Sequence, residues 1–396
     1  MTLAGKHILV VGAGVGGLAA ALALLQRGAR VRIFEQAQAI TEVGAGLQIS
    51  PNGTRVLRAL GLGEALYRQG IEAQAVELCD HRQGRRVMRL EITQSQAGHF
   101  LLHRADLIRM LARAVQARGG VLRLNAKAVA VVPGASSHKP QVALEDGSAH
   151  TADVIVGADG LHGVARSALN HAQAPFFTGQ VAWRALLPNP WNPRPHAPLV
   201  RVYMGPGRHL VSYPLRAGRL INLVAVQERK QWAQEGWHHP DTPQVLRQAF
   251  ADFGPRVRHM LDAVQQLHRW GLFCHPIAEC WQGGAVALVG DAAHPMLPFM
   301  AQGAVMGLED AWVLAEALAQ HHCPAEALAH YQKQRKPRVK RVVKATNRNA
   351  WAYHLRPGPL RFMAHTGLRL GGCLMARHML SQWDWLYHHN VISQDT

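Results

Sequence analysis

The first apolar run of the chain is Ile8-Leu9-Val10-Val11, with no polar residue inside it. A strand buried on both faces of a parallel sheet reads this way, because neither face needs a polar side chain. Leu18, Leu22 and Leu25 then recur at helical spacing, and Gly28 stands where such a helix would end. Val31 to Phe34 repeats the strand pattern. Strand, helix and strand in this order predict a βαβ unit of a parallel sheet. The buried-strand pattern returns at Val154-Ile155-Val156 and from Ala285 to Val289. Leu107, Leu111 and Val115 mark one face of a helix from about Arg104 to Gly119-Gly120, and Leu57, Leu60 and Leu62 suggest a shorter one. Pro133 to Pro140 reads as a surface hairpin loop.

The pattern changes near residue 176. After a long loop carrying Pro188, Pro190, Pro193, Pro195 and Pro198 come three runs with strand character, Leu199 to Met204, His209 to Leu215 and Leu220 to Val226. They predict an antiparallel sheet inserted between parts of the parallel-sheet domain. A helix from about Gly303 to Ala319 is expected to place Val305, Leu308, Trp312 and Ala315 on one side, and the tail from about 330 is basic and helical in character. The expected class is α/β. Residues 1–175 are expected to form the first part of a Rossmann-like domain and to include some segments of the second domain. Residues 176–275 form the inserted sheet, 276–330 the last part of the first domain, and 331–396 a helical region closing the pocket.

At 396 residues the chain is long enough for two to three domains of about 150 residues. Hydrophobic residues are 48% and charged residues 17%, which excludes a disordered or fibrous chain. Lys and Arg number 43 against 25 Asp and Glu, a formal net charge of +18. That balance suits anionic partners such as nucleotides, acidic substrates, nucleic acid or a membrane surface. No RNP, helix-turn-helix or zinc-finger pattern accompanies it, so nucleic acid is not an expected partner. The cysteines, at 79, 274, 280, 323 and 373, are odd in number and contain no CxxC pair. Neither a disulfide framework nor a metal site is expected, and the cytoplasm is the expected compartment. Ile8 to Leu25 is uncharged and long enough to resemble a membrane span, but glycines at 12, 14, 16 and 17 break it. A signal peptide fits poorly, since little positive charge precedes the run.

Those glycines form Gly12-Ala13-Gly14-Val15-Gly16-Gly17, a GxGxxG match at 12, 14 and 17. The first glycine permits the tight turn, the second lets backbone N–H groups approach a pyrophosphate at the helix N-terminus, and the third lets the helix pack closely. Glu35 ends the next strand, 18 residues after Gly17, where a carboxylate can accept from a ribose hydroxyl. An acid rather than an arginine there argues against a 2′-phosphate. The site suits the ADP half of FAD or NAD.

Three motifs in order carry a resemblance over nearly the whole chain. They are the GxGxxG, then Gly157-Ala158-Asp159-Gly160 with Arg166, then Gly290-Asp291-Ala292-Ala293-His294-Pro295. Further matches are His103-Arg104-Ala105-Asp106-Leu107, Trp183-Arg184, Tyr213-Pro214, Pro298 with Gln302-Gly303, Glu309-Asp310-Ala311 and Asp384-Trp385-Leu386-Tyr387. The chain resembles the single-component FAD-dependent aromatic hydroxylases, the para-hydroxybenzoate hydroxylase-like flavoproteins. Within them it is most similar to the branch of salicylate, 3-hydroxybenzoate and 6-hydroxynicotinate hydroxylases. The resemblance implies a noncovalently bound FAD, NADH or NADPH as a transient co-substrate, and O2. A small aromatic acid would be hydroxylated through an FAD C4a-hydroperoxide. Another aromatic or heterocyclic substrate, such as a ubiquinone precursor, urate or 6-hydroxynicotinate, is the alternative.

By the same resemblance Gly12, Gly14, Val15, Gly17 and Glu35 hold the ADP half of FAD. Arg104 contacts its phosphates or ribityl chain, and Asp291 its ribityl hydroxyls. Asp159 helps both FAD and the nicotinamide donor. Gly303 and Ala304 open a helix whose positive dipole end faces the flavin pyrimidine ring. His294 is expected to be structural. The sequence departs from the family at Gly163, where a Ser is common, and at Tyr387-His388-His389-Asn390, where Tyr-Gly and then Asp is common.

His209, Val211 and Tyr213 alternate on one strand face, with His209 and Tyr213 roughly 13 Å apart along a straight strand. They can line one elongated pocket but cannot touch the same atom. The family branch uses a His and a Tyr at this spacing beside the ring, and a Gln in the segment matching Met300-Ala301-Gln302-Gly303. A phenolate is hydroxylated faster than a phenol, so His209 is the expected base, with Tyr213 and Gln302 fixing the ring. Arg184 is the candidate partner of the substrate carboxylate, unless it is buried structurally beside Trp183. Arg356, Arg361, Arg369 and Arg377 are interleaved with Leu360, Phe362, Met363, Leu368, Leu370, Leu374 and Met375. Such a mixture suits weak peripheral contact with an anionic lipid surface. Packing on the flavin domain and closing the pocket is the favoured alternative. A homodimer is compatible with the resemblance.

Overall fold

The computed structural model of the chain describes residues 2–40, 46–92, 97–171, 173–189, 198–229, 239–374 and 381–392. Gly44, Ala45, Pro190, Pro193, Pro195, Met375 and Arg377 lie outside the described residues, as do the side chains of 372–374.

Six strands form the first sheet, in the order Gln282–Gly283, Val286–Leu288, Val154–Gly157, His7–Val11, Arg30–Phe34 and Val121–Arg123. Ile8 stands opposite both Val154 and Val31, in parallel register. Only the edge pair Gln282–Gly283 with Val286–Leu288 is antiparallel. Ile8, Leu9 and Val10 are almost wholly buried, as their unbroken apolar run requires of a strand covered on both faces. The helix Val15–Gln26 follows the first strand directly, so the uncharged stretch from Ile8 to Leu25 is a strand, a turn and a helix. No helix among the described residues is long and apolar enough to cross a membrane.

The helix Gly303–Gln320 packs on Val15–Gln26 on one side and on the helix Pro324–Tyr353 on another. It is therefore buried nearly all round, Met306, Val313 and Leu314 as well as Val305 and Leu308, rather than along the single stripe expected from sequence. Close approach is allowed by glycine. A Cβ at Gly16 would lie 3.7 Å from the Cα of Gly307.

The second large sheet has eight strands, in the order His239–Pro240, His268–Cys274, Phe176–Pro188, Leu220–Glu228, Arg208–Leu215, Leu199–Gly205, Ala75–Asp80 and Arg86–Glu91. The expected antiparallel sheet is present except at one pair. Leu199–Gly205 runs parallel to Ala75–Asp80, with Leu199 opposite Ala75. The reason is topological: these two strands are joined through the first domain and not by a hairpin, and distant connections permit parallel pairing. One face of this sheet buries Trp183, Tyr203, Leu210, Leu223 and Ala225 against the helices Pro243–Ala249 and Pro255–Asp262. The opposite face is turned toward the first domain. The hairpin expected around Pro133 to Pro140 joins Ala128–Val132 to Gln141–Leu144.

The tail packs rather than trails. Its helix Pro359–Leu374 lies against Arg86–Glu91, and the Arg361 guanidinium donates to the carbonyl of Met204 at 3.0 Å. Leu360, Phe362, Met363 and Leu370 remain exposed on its outer side.

Candidate active site

A cavity of about 1360 Å³ lies between the two sheets and the tail. It exceeds the usual ~300–1,000 Å³ of a drug-sized pocket, which gives room for a long ligand and a second, smaller one.

At one end lies the glycine-rich turn. Gly12 has φ +100°, and a Cβ there would come within 2.5 Å of the Ala158 carbonyl oxygen. A Cβ at Gly17 would sit 2.0 Å from the oxygen of Gly12. Gly14 differs: nothing lies within 4 Å of where its Cβ would be, and it borders the cavity with Val15. Two glycines therefore hold the turn closed and one leaves the backbone open to a ligand. Glu35 spans the turn. Its Oε2 accepts from Ala13 N at 2.7 Å and its Oε1 from Ala37 N at 2.9 Å, while the side chain also borders the cavity.

The second and third motifs meet beside it. Asp159 Oδ2 accepts from Ala165 N at 2.9 Å, at the start of the short helix Val164–Leu169. Burial outweighs these donors and pushes its carboxyl up to about 6. Gly163 is explained by this rotamer, because a Cβ there would lie 2.0 Å from Asp159 Cγ. Arg166 donates to the carbonyls of Ala292 at 3.2 Å and Pro276 at 2.7 Å, tying the second motif to the third. Asp291 faces the cavity. Its carboxyl is open to the cavity but ringed by protein, which raises it, and Arg104 on the same wall pulls it back. Arg104 opens the helix Arg104–Ala117, where His103 Nδ1 caps Ala105 N at 3.2 Å. Gly303 and Ala304 bring the first turn of the Gly303–Gln320 helix to the same wall.

His294 does not reach the cavity. It is fully buried, its Nε2 2.5 Å from Asp310 Oδ2. Asp310 also accepts from Gly290 N at 3.0 Å and from Arg335 Nε at 2.8 Å. Glu309 beside it takes Arg335 Nη1 at 2.6 Å, Arg338 Nε at 2.7 Å and Asn52 Nδ2 at 2.7 Å. Burial would raise both carboxyls, but the cationic partners win: Glu309 is lowered and Asp310 comes to about 2. Arg338 also donates to the carbonyls of Trp385 at 3.0 Å and Leu386 at 3.1 Å, and Arg55 to that of Tyr387 at 2.8 Å. The departing Tyr387–Asn390 segment is thus anchored by its backbone.

Gln302 is placed differently from the sequence expectation. Its amide Nε2 donates to Ser50 Oγ at 2.9 Å, its Oε1 accepts from Asn52 at 3.3 Å, and the side chain is buried away from the cavity. The turn Pro298–Met300 is followed by Ala301 in the left-handed region, φ +53°, so that Gln302 enters the helix with its amide in the polar cluster rather than at a ring.

The other end of the cavity is walled by the open face of the eight-stranded sheet. His209, Val211 and Tyr213 all reach it, with Val200, Val202 and Val224 from neighbouring strands. His209 is buried between the rings of Phe299, at 5.1 Å, and Tyr353, at 5.5 Å. Burial holds its imidazole well below the usual histidine range. Burial likewise raises the Tyr213 phenol, against the Arg184 charge and the neighbouring Asn222 amide. Arg184 borders the cavity with its guanidinium 4.6 Å over the Trp270 ring, while Trp183 points to the opposite face and donates to Asp241 at 2.9 Å. The arginine therefore does not share the burial of its neighbour.

Asn222 escaped the sequence reading. It is fully buried, and its Oδ1 accepts from Gly46 N at 2.7 Å. The signal was a lone amide in the apolar run Leu220 to Val226. Gly46 has no room for a side chain, since a Cβ would lie 2.6 Å from the Tyr213 hydroxyl. Gly46→Ala is therefore expected to displace Tyr213. Titration with 3-hydroxybenzoate, followed by protein fluorescence, should show binding weakened by about tenfold or more, the effect of ~1.4 kcal/mol. Unchanged binding would show that Tyr213 does not contact that ligand.

Comparison with known proteins covers the same span. The sequence profile of the family described as FAD binding domain matches residues 6–346. The chain is 36% identical to the 3-amino-4-hydroxybenzoate 2-monooxygenase PtmB3 of Streptomyces platensis, over 89% of this chain and 90% of that one. It is 35% identical to a 3-hydroxybenzoate 6-hydroxylase of Klebsiella oxytoca, over 87% and 88%. Its fold superposes on a salicylate hydroxylase substrate complex with a TM-score of 0.81 and 25% identity, covering 98% and 96%.

Proposed function

Because the chain belongs to the FAD binding domain family and is an FAD-dependent monooxygenase of aromatic compounds, we propose that it hydroxylates a phenolic benzoate with O2 and a nicotinamide donor. The observation that carries this reading is the division of one cavity. A glycine turn with acidic and basic partners stands at one end; a His, a Tyr and an Arg stand at the other.

The residues present fit FAD. Gly14 leaves open space where backbone N–H groups can meet a pyrophosphate. Glu35 offers a carboxylate to a ribose and Asp291 to ribityl hydroxyls, with Arg104 balancing charge. Bound there, FAD supplies the oxygen-activating chemistry. The N-terminus of the Gly303–Gln320 helix places its positive end where negative charge would gather.

The rest is done by the chain. Arg184 pairs with the carboxylate of the substrate, and Tyr213 positions its ring. His209 takes the phenol proton, since a buried neutral imidazole is a base rather than an acid. The apolar strands and the tail exclude water. On this reading Trp351, Leu355, Ala364 and Leu368 of the tail are cavity wall and not a lipid anchor.

The test is a panel of hydroxybenzoates and amino-hydroxybenzoates, each offered with NADH and NADPH. Ligand-stimulated donor oxidation with matching product supports the reading; no stimulation by any phenolic acid would overturn it. Asp291→Ala should fold and purify with markedly less flavin, released on denaturation as free FAD. Wild-type flavin content in that variant would remove Asp291 from the cofactor site.

A further inference from the structure

His209 does not stand alone. Its Nδ1 lies 2.7 Å from Nε2 of His354, whose Nδ1 lies 2.9 Å from Oε1 of Glu228. The His354 side chain is 2% exposed and that of Glu228 45%. The line of groups therefore begins at the cavity wall, passes through two buried rings and ends at a carboxylate in water. The backbone builds it deliberately close. His354 follows the Pro324–Tyr353 helix, and its carbonyl accepts from Gly207 N at 3.1 Å. Gly207 in turn accepts from Glu228 N at 2.9 Å. Gly207 has φ +61°, and a Cβ there would approach Glu228 Oε2 to 3.3 Å, so the glycine both makes the turn and leaves room for the carboxylate.

The order of partners fixes the tautomers. A carboxylate only accepts, so His354 must carry its proton on Nδ1. Its Nε2 is then the acceptor, and His209 donates to it from Nδ1. That leaves Nε2 of His209 with a lone pair as the remaining ring nitrogen for a ligand. Burial favours the neutral form of both rings, with Glu228 opposing it only at His354.

We propose that His209, His354 and Glu228 form a proton relay from the aromatic-binding cavity to solvent, in which Glu228 sets the tautomers that make His209 a base. The proposal rests on the phenolic-acid reading given above. As the phenol O–H bond breaks, its proton joins Nε2 of His209. The proton on Nδ1 of His209 passes to Nε2 of His354, and that on Nδ1 of His354 passes to Glu228 and on to water. One N–H or O–H bond forms for each that breaks, and no group is oxidised or reduced. Phe299 and Tyr353 flank the His209 ring, which is buried, and its hydrogen bond to His354 gives the proton a path to Glu228.

The test uses the FAD-loaded enzyme without a nicotinamide donor. It is mixed with 3-hydroxybenzoate in weak buffer containing a pH indicator, and phenolate absorbance and proton release are followed together. Wild type should show both in one phase. Glu228→Gln keeps the shape of the partner but cannot take the proton, and should slow both by about 10²-fold, with added formate restoring the rate. His354→Gly should behave alike and be rescued by imidazole. A merely structural role would not respond to either small base. Wild-type rates in Glu228→Gln would overturn the relay and leave His209 as a base acting alone. A wild type that forms no phenolate with any hydroxybenzoate would overturn the functional reading, and the relay with it.

Discussion

Replacing His209 by alanine should leave FAD content and substrate-stimulated oxidation of the nicotinamide donor near wild-type values while product formation collapses. The side chain is buried on the cavity wall formed by the eight-stranded sheet, whereas the glycine turn belongs to the first sheet. Flavin reduction makes no demand on it. On the proposed reading oxygen transfer to the ring does, because a phenolate is hydroxylated faster than a phenol. Loss of a positioned base costs about 10²–10⁴-fold in the assisted step. Reducing equivalents that no longer reach the ring must leave as H2O2. The measurement is product formed per donor oxidised, with peroxide assayed in parallel. An unchanged ratio would exclude His209 from the chemistry and turn attention to Tyr213.

The largest effect on stability is expected from Arg335→Met. Arg335 is 1% exposed and binds Glu309 and Asp310, which are wholly buried. Breaking such a cluster from one side strands charge in a low-dielectric interior and costs about 3–5 kcal/mol. Glu309 would keep Arg338 and Asn52, and Asp310 would keep His294 and Gly290 N–H, so the loss should stay within that range. The pH dependence has a definite sign. The Asp310 carboxyl is lowered from its ordinary 3.8 to about 2 in the folded protein. Its contribution is fully present above the unfolded value and is lost as pH falls through about 2. Without Arg335 the folded value rises, so the gap between wild type and variant should narrow on acidification. Urea midpoints at neutral and acidic pH measure it. A gap that widens toward acid would show that the cluster is not held by these charges.

The motif-bearing turns were legible because their chemistry is local. Gly12, Gly14 and Gly17 act within one turn, and Glu35 reaches back to Ala13 across a single βαβ unit. The alternation of His209, Val211 and Tyr213 was legible for the same reason: a strand puts every second residue on one face. The parallel pairing of Leu199–Gly205 with Ala75–Asp80 was not, since a strand's sequence does not name a neighbour brought in from another part of the chain. His354 and Glu228 were invisible on the same ground, their partners lying 145 and 126 residues away. Gln302 shows a different limit. The resemblance puts it at the ring, but its amide meets Ser50 and Asn52, after a left-handed Ala301 that no sequence pattern announces. Gly163 was read as a departure from the family, and only the Asp159 rotamer shows what fills the space.

The C-terminal tail contributes Trp351, Tyr353, Leu355, Ala364, His365 and Leu368 to the cavity, and none of the glycine turn, Glu35 or Asp291. On the proposed reading, part of the cavity wall is thus carried by a stretch of polypeptide separate from the glycine turn, Glu35 and Asp291. An ancestral enzyme of this design could change its diet by drift in the tail while its expensive core stayed under unchanged selection. For a protein engineer the same partition marks where to randomise: a library confined to these wall positions leaves the glycine turn, Glu35 and Asp291 untouched.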